Sequence, residues 1–188
     1  MIPTLSRAPA VKLTRPIVLV GLMGAGKTTV GRRLADRLRV DFYDADEEIE
    51  ASAHMRISDI FEAYGEPAFR DGERKVIERL LDGPPHILAT GGGAFMNEQT
   101  RALVKERATS LWIKADLDLL VKRTSRRNHR PLLRTGDPRQ ILSKLLKERA
   151  PVYAKADLAV ESVEGPHHKT VDKIIRALQA LKNAGHPL

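Results

Sequence analysis

A glycine-rich segment at 21–28, with the sequence GLMGAGKT, constrains the fold more than any other part of the chain. It fits the pattern G-x-x-x-x-G-K-[ST], in which backbone N–H groups turn inward around phosphate oxygens. The apolar run Ile17–Val20 precedes it, and Val30, Leu34 and Leu38 follow it at helical spacing. Strand, loop and helix in this order predict a P-loop, with phosphate bound at the helix N-terminus.

The chemistry of this motif identifies the first ligand as Mg·ATP. We expect Lys27 to reach the β- and γ-phosphates and the Thr28 hydroxyl to bind Mg²⁺. ATP is therefore the expected co-substrate and Mg²⁺ the expected cofactor. The residues predicted to bind ATP in this segment are Gly21, Met23, Gly24, Ala25, Gly26, Lys27, Thr28 and Thr29.

Short apolar segments alternate with amphipathic ones along the chain, which predicts an α/β fold with a parallel sheet covered on both faces. The predicted strands are 16–20, 40–43, 86–90, 109–113 and 157–160, and the predicted helices are 27–38, 46–54, 58–63, 66–81, 97–107, 116–124, 138–149 and 168–182. We expect a flexible leader over 1–14, a single kinase domain over 15–182 with substrate-binding helices at about 46–81 and a lid loop at about 124–137, and a tail over 183–188.

Composition narrows the class of protein. The 188-residue chain has no cysteine, which excludes a disulfide scaffold, a thiolate metal site and a thiol nucleophile. Its apolar runs are shorter than the roughly 20 residues of a membrane span. We therefore expect a cytoplasmic protein with no membrane partner, and we expect a monomer.

The net charge of +8 is concentrated in one segment. Such a segment is either a solvated basic loop or a site for an anionic substrate or nucleotide phosphate. Few aromatic residues are interleaved with the charges, and base stacking would need them. We therefore expect no nucleic-acid partner. The basic residues of this segment are Lys122, Arg123, Arg126, Arg127, Arg130 and Arg134.

Two carboxylates follow the second predicted strand, at Asp44 and Asp46. Open α/β sheets bind ligands at the carboxyl ends of their strands, so both could face the phosphates. One could help to hold Mg²⁺, and the other could accept a proton from an attacking hydroxyl. A structural alternative, which does not exclude these roles, is that Asp46 caps the N-terminus of the helix that follows.

Other candidates for the acceptor side each have a structural alternative. Arg70 and Glu73 share a helix face and form either a surface ion pair or a grip on a substrate carboxylate. The run Gly91–Gly93 allows either close approach of a ligand to the backbone or a tight turn. Arg149 ends a predicted helix as a favourable C-terminal cation. Arg130 could close over ATP and neutralise the transferring phosphate.

Taken together, these motifs resemble the shikimate kinase family, over about residues 17–160. The P-loop is common to many kinases, whereas the ordered set of the other motifs is much more specific. The resemblance implies a three-layer α/β/α P-loop kinase with a five-stranded parallel sheet of order 2-3-1-4-5. It also implies transfer of the γ-phosphoryl group of ATP to the 3-hydroxyl of shikimate, in aromatic amino-acid (chorismate) biosynthesis. The motifs that carry it are Gly21–Thr28, Asp44 to Asp46, Phe69-Arg70 with Glu73, Gly91–Gly93, Arg130 to Leu132 and Arg149 to Pro151.

The same resemblance implies a role for each site residue. Lys27, Asp46 and Arg130 would be catalytic, and Asp44 would join Thr28 at the metal, through water. Arg123 would stack on adenine and Arg130 would be the lid arginine. Shikimate would be bound through its hydroxyls by Asp46, through its carboxylate by Arg70 and Arg149, and by a pocket comprising Phe61, Phe69, Glu73, Gly91, Gly92 and Gly93.

Two alternatives stay open at this stage. Another small-molecule P-loop kinase, such as a gluconate kinase, would share Gly21–Thr28 but need not place two arginines around a carboxylate. A nucleotide-gated binding module could instead contact nucleic acid through the basic segment, and its binding would then depend on salt. The segment 161–169 cannot be aligned with the family residue by residue, so no adenine contact is assigned there.

Overall fold

The computed structural model describes residues 11–125 and 136–188. Strands and helices alternate along the chain, as the hydrophobic pattern predicts. A short 3-10 helix, Ala94–Met96, was not predicted. The elements in order are β1 Ile17–Val20, α1 Lys27–Leu38, β2 Asp41–Asp44, α2 Ala45–Ala53, α3 Ile57–Leu81, β3 His86–Ala89, α4 Glu98–Arg107, β4 Thr109–Lys114, α5 Leu117–Ser125, α6 Pro138–Tyr153, β5 Leu158–Glu161 and α7 His167–Asn183.

The five strands form one parallel sheet in the order β2-β3-β1-β4-β5, which confirms the predicted order 2-3-1-4-5. The central strand β1 pairs with β3 on one side and β4 on the other, so that Val18 lies opposite Leu88 and Ser110. All four residues of β1 are buried, as in a sheet with helices on both faces. The P-loop follows this strand and therefore lies at the middle of the sheet's carboxyl edge.

The core is aliphatic, and the helices contribute to it through one face each. On α1 the buried residues include Val30 and Leu34, which recur at helical spacing. A second, smaller apolar cluster of Ile49, Ile60 and Phe69 lies between α2 and α3. This cluster holds α2 and α3 together apart from the main core.

The long helix α3 contains the break that the sequence predicts between helices 58–63 and 66–81. Gly65 has φ 79° and ψ 173°, outside the helical region, and Pro67 follows two residues later. A left-handed φ is accessible to glycine at little cost. The second part of α3 begins after this break and carries Arg70 and Glu73.

One predicted helix end is wrong. Helix α6 does not end at Arg149 but continues to Tyr153, with Pro151 in its last turn. A proline near a helix end removes only one hydrogen bond, and the Ala154 N–H still donates to the Ala150 carbonyl at 2.9 Å. Helix α5 ends at Ser125, within one residue of its predicted end. The predicted lid at about 124–137, with Arg130, falls mostly on 126–135, outside the described residues.

The ends of the described chain pack more closely than the predicted leader and tail imply. Within 11–14, Val11 and Leu13 are buried in the main core, and Leu188 is buried as well. Thr14 donates hydrogen bonds to the Leu188 carbonyl through its backbone N–H and its hydroxyl. Across 11–125 and 136–188, no helix has the length and apolar character needed to cross a membrane.

Candidate active site

The glycines of the loop after β1 adopt a conformation that other residues rarely reach. Gly21, Gly24 and Gly26 have φ of 142°, 83° and 98°, all in the left-handed half of φ space. A Cβ on Gly21 would also lie 2.6 Å from the Ile113 carbonyl oxygen. The chain therefore winds tightly from β1 into α1, and α1 begins at Lys27.

The Lys27 side chain folds back onto the P-loop that precedes it. Its Nζ donates to the carbonyl oxygens of Gly21 at 2.7 Å and Leu22 at 3.1 Å. These contacts hold the ammonium group beside the N-terminus of α1, where the helix dipole also favours an anion. A phosphate chain bound here would meet both positive groups.

Asp44, at the end of β2, connects the loop to the second strand. The Thr28 hydroxyl donates to Asp44 Oδ2 at 2.8 Å, and Asp44 Oδ1 accepts from the Asp46 backbone N–H at 3.1 Å. Asp44 is therefore the N-cap of α2, and the alternative that Asp46 is the cap is wrong. The cap falls two residues earlier because α2 follows β2 without a loop.

A cavity of about 570 Å³ opens above the P-loop, between the carboxyl ends of the strands. It brings together most of the predicted nucleotide and metal residues with Asp46. The predicted site residues among the described ones that do not line it are Gly21, Ala25, Phe61, Phe69, Arg70, Glu73, Gly93 and Arg149. The predicted site residues on its wall are Met23, Gly24, Gly26, Lys27, Thr28, Thr29, Asp44, Asp46, Gly91, Gly92 and Arg123.

The acceptor side meets this cavity at the glycine run after β3. A Cβ on Gly91 would lie 3.0 Å from Asp46 Oδ1, one on Gly92 would lie 3.3 Å from Arg149 Nη1, and one on Gly93 would clash with the Arg70 guanidinium. The three glycines leave room for three charged side chains that approach the backbone there. The structure brings Asp46, Arg70 and Arg149 to the same short segment.

Glu73 holds Arg70 from below. Arg70 Nη1 donates to Glu73 Oε2 at 2.6 Å, and Glu73 is only 2% exposed, so the alternative of a surface ion pair is wrong. The pKa of Glu73 is raised, chiefly because burial disfavours the charged carboxylate, and Asp46 adds to this rise. The positive charges of Arg70 and Arg149 act in the opposite direction. Its Oε1 accepts no hydrogen bond from any described residue, although it lies close to Gly91. The site therefore contains a buried carboxylate oxygen whose hydrogen-bonding capacity is unused.

Phe61 and Phe69 form an apolar surface next to Arg70. Their ring centroids are 4.5 Å apart, and the Arg70 guanidinium lies 5.1 Å from the Phe69 centroid. Phe69 is buried in the small cluster between α2 and α3. The guanidinium is therefore fixed by an ion pair on one side and an aromatic ring on another.

Sequence reasoning missed several residues of the site. Tyr153 is buried one turn after Arg149, and its hydroxyl donates to the Gly92 carbonyl. Burial raises the pKa of Tyr153, and Arg149 lowers it. Its i, i+4 spacing from Arg149 was the available signal, but the predicted helix end at 149 concealed it. The other residues missed on the cavity wall are Thr90, Leu119, Lys122, Thr124, Glu164, Gly165 and His167.

Comparison with known proteins identifies the family. The family model described as "Shikimate kinase" matches residues 23–179. The shikimate kinase of Paramagnetospirillum magneticum is 58% identical over 167 residues, which cover 89% of this chain and 86% of that protein.

Solved structures agree at the level of the whole fold. The shikimate kinase of Acinetobacter baumannii, solved in complex with shikimate, superposes with a TM-score of 0.85 at 39% identity, covering 90% of this chain and 95% of that one. A gluconokinase from Sinorhizobium meliloti 1021 superposes with a TM-score of 0.61 at 18% identity, covering 91% and 95%, and so shares only the fold. The chain belongs to the shikimate kinase family and is an ATP-dependent kinase.

Proposed function

We propose that this chain transfers the γ-phosphoryl group of ATP to the 3-hydroxyl of shikimate, giving shikimate 3-phosphate and ADP, as a step toward chorismate and the aromatic amino acids. The observation that carries the assignment of the acceptor is the approach of Arg70 and Arg149 to the glycine run beside Asp46. Two guanidinium groups suit a carboxylate, and a carboxylate suits hydroxyls, so the set fits a small anionic polyol.

The acceptor binds with its carboxylate toward the two arginines. Arg70 is fixed by Glu73 at 2.6 Å and by the Phe69 ring, so its orientation is set before substrate arrives. Arg149 lies against Gly92, whose carbonyl accepts from Tyr153. This preorganisation reduces the entropy lost on binding. Gly91–Gly93 are proposed to contact shikimate through their backbone and Phe61 to form its apolar wall, although of these only Gly91 and Gly92 line the P-loop cavity.

Asp46 lies between the acceptor side and the phosphates. It lines the P-loop cavity and approaches Gly91 with Oδ1. From this position it orients the 3-hydroxyl of shikimate and accepts its proton as the oxygen attacks the γ-phosphorus. Lys27 stabilises the charge on the transferring group, and most of the catalysis comes from positioning and electrostatics.

The Thr28 hydroxyl and the Asp44 carboxylate, 2.8 Å apart, provide oxygen atoms of the kind that Mg²⁺ prefers. Among the residues that the structure describes, no three His, Cys, Asp or Glu side chains converge on a metal position. This agrees with an ion that takes one or two protein oxygens and completes its shell with phosphate and water. When bound with ATP, Mg²⁺ would neutralise charge on the phosphates. Arg123 is proposed to stack on adenine.

The experiment that tests the proposal is ADP release from Mg·ATP by the purified protein with shikimate, gluconate or methyl shikimate as acceptor. Strong stimulation by shikimate and almost none by gluconate is expected. Methyl shikimate keeps every hydroxyl but lacks the charge, so it should have a much higher KM. Equal turnover of gluconate would refute the assignment of the acceptor and leave the nucleotide site intact. The lid role of Arg130, the monomeric state and the cytoplasmic location stay predictions.

A further inference from the structure

The side chain of Arg123, near the end of α5, extends to the backbone of the P-loop. Its Nη1 donates to the carbonyl oxygens of Gly24 at 3.4 Å and Ala25 at 3.1 Å. A Cβ on Gly26 would lie 3.4 Å from the same Nη1, so the loop backbone and the guanidinium are in close contact. Stacking on a base does not require these contacts.

The two carbonyl contacts fix the orientation of two peptide groups. In a trans peptide the C=O and the next N–H point in opposite directions, and no cis peptide is present among the described residues. When Arg123 holds the Ala25 carbonyl, the Gly26 N–H therefore points away from the guanidinium. When it holds the Gly24 carbonyl, the Ala25 N–H is turned toward Leu22, whose carbonyl accepts from it at 3.1 Å.

The same guanidinium is anchored to the loop that follows β5. Nη1 also donates to Ser162 Oγ at 3.0 Å, and Nη2 donates to the Val163 carbonyl at 3.2 Å. Ser162 is 4% exposed, so its hydroxyl is held in the interior. Lys122 and Glu164 form an ion pair between the same two elements, on the outside. The Arg123 guanidinium is thus hydrogen-bonded both to the P-loop and to the β5–α7 loop.

We propose that Arg123 and Ser162 are positioning residues for the phosphate cradle. Ser162 orients the guanidinium, and the guanidinium holds the Gly24 and Ala25 carbonyls so that the P-loop has its phosphate-binding conformation before nucleotide arrives. This role is additional to the proposed stacking of Arg123 on adenine and rests on the proposed function only in taking the cavity as the ATP site. Ser162 acts on phosphate affinity through Arg123 and touches no reactant.

The test separates the phosphate and adenine parts of the nucleotide. Displacement of mant-ADP, a fluorescent ADP analogue, by inorganic tripolyphosphate reports on the cradle, and displacement by adenosine reports on base binding. The variants are Ser162→Ala, Ser162→Thr and Arg123→Lys. Ser162→Thr keeps the hydroxyl group, and Arg123→Lys keeps the positive charge but lacks the planar set of N–H donors of a guanidinium. The control is Ser110→Ala, which removes another buried serine hydroxyl, one that donates to Asp157 at 2.6 Å instead of accepting from Arg123.

Ser162→Ala and Arg123→Lys should weaken tripolyphosphate about three- to tenfold, the size of one net hydrogen bond, because the lost contact acts on the phosphates only through the position of the loop. Ser162→Thr should keep most of the tripolyphosphate affinity. Ser110→Ala should leave this affinity unchanged, although it should lose about as much thermal stability as Ser162→Ala. In the kinase assay, KM for ATP should rise while KM for shikimate stays constant. Unchanged tripolyphosphate affinity in both Ser162→Ala and Arg123→Lys would overturn the proposal.

The Arg123→Lys variant keeps the test decisive if Ser162→Ala does not fold. A loss confined to adenosine would also overturn the proposal, because Arg123 would then act on the base alone. The displacement assay does not depend on the acceptor. A protein that shows the tripolyphosphate effect but no shikimate-dependent ADP release would refute the proposed function and support the positioning role.

Discussion

Substituting Gly93 by alanine would place one methyl group against the Arg70 guanidinium without straining the backbone. Gly93 has φ −97° and ψ −15°, which any residue adopts. The added Cβ would lie 2.8 Å from Arg70 Cζ and 2.9 Å from Nη1. Because the obstacle is a side chain and not the main chain, the arginine must move and the fold need not.

The size of the effect follows from these distances. The guanidinium must retreat by about 1 Å to reach ordinary van der Waals separation. Its bond to Glu73 is 2.6 Å long, and a shift of that size away from Glu73 takes it beyond hydrogen-bonding distance. Losing the set orientation of a charge-assisted contact is worth about 1.5–3 kcal/mol. We therefore expect KM for shikimate to rise by about 10- to 150-fold.

The assay is steady-state ADP release with each substrate varied in turn, together with a thermal melt. The matched control is Gly72→Ala, in the same part of α3 as Arg70. No heavy atom lies within 4 Å of the Cβ that this substitution adds. That variant should keep both KM values and gain up to about 1 kcal/mol of stability from helix propensity. In Gly93→Ala, KM for ATP should stay near the wild-type value.

Two results would refute this reasoning. An unchanged KM for shikimate in Gly93→Ala would mean that the position of Arg70 does not matter for the acceptor. An equal rise in both KM values would mean that the methyl group disturbs the whole cavity, and the assignment of Arg70 to the acceptor alone would fail.

Three further predictions concern catalysis, packing and pH. Asp46→Asn should lower kcat by about 10²- to 10⁴-fold with an unchanged melting temperature, and normal turnover would remove Asp46 from the mechanism. Gly31→Ala should cost about 1–3 kcal/mol in urea unfolding, because its Cβ would lie 2.6 Å from Phe42 Cε2 in the core; a stabilised variant would contradict the packing. Burial lowers the pKa of His86, whose Nδ1–H donates to the Pro84 carbonyl at 2.8 Å. The unfolded chain then binds the proton more readily, so stability present above about pH 6.5 should be lost as pH falls below it. Urea unfolding at pH 7.5 and 5.5 should show a smaller acid loss in His86→Gln than in wild type, and equal losses would exclude His86 as the cause.

Much of the fold could be predicted because its signals are local. The P-loop glycines, the apolar period of α1 and the Gly65–Pro67 break each act within a few residues. The strand order required the family resemblance, since pairing between β1 and β4 joins segments about 90 residues apart and no local pattern encodes it. The end of α6 was missed because Pro151 was taken to stop the helix, whereas the helix continues through Pro151 to Tyr153 without the one hydrogen bond that the proline nitrogen cannot donate.

The same difference between local signals and contacts of distant segments applies to the candidate site. Single motifs left Arg70 and Glu73 undecided between a surface pair and a substrate grip, and only the 2% exposure of Glu73 decides between them. Burial of that carboxylate depends on the glycine run after β3, which is distant in sequence. The anchoring of Arg123 by Ser162 likewise joins α5 to the loop after β5. Such contacts have no periodicity and no motif of their own. The residues that orient a catalytic group are therefore harder to find in a sequence than the group itself, and substitutions such as Gly93→Ala, which move one side chain and leave the backbone unstrained, are the direct way to measure what they contribute.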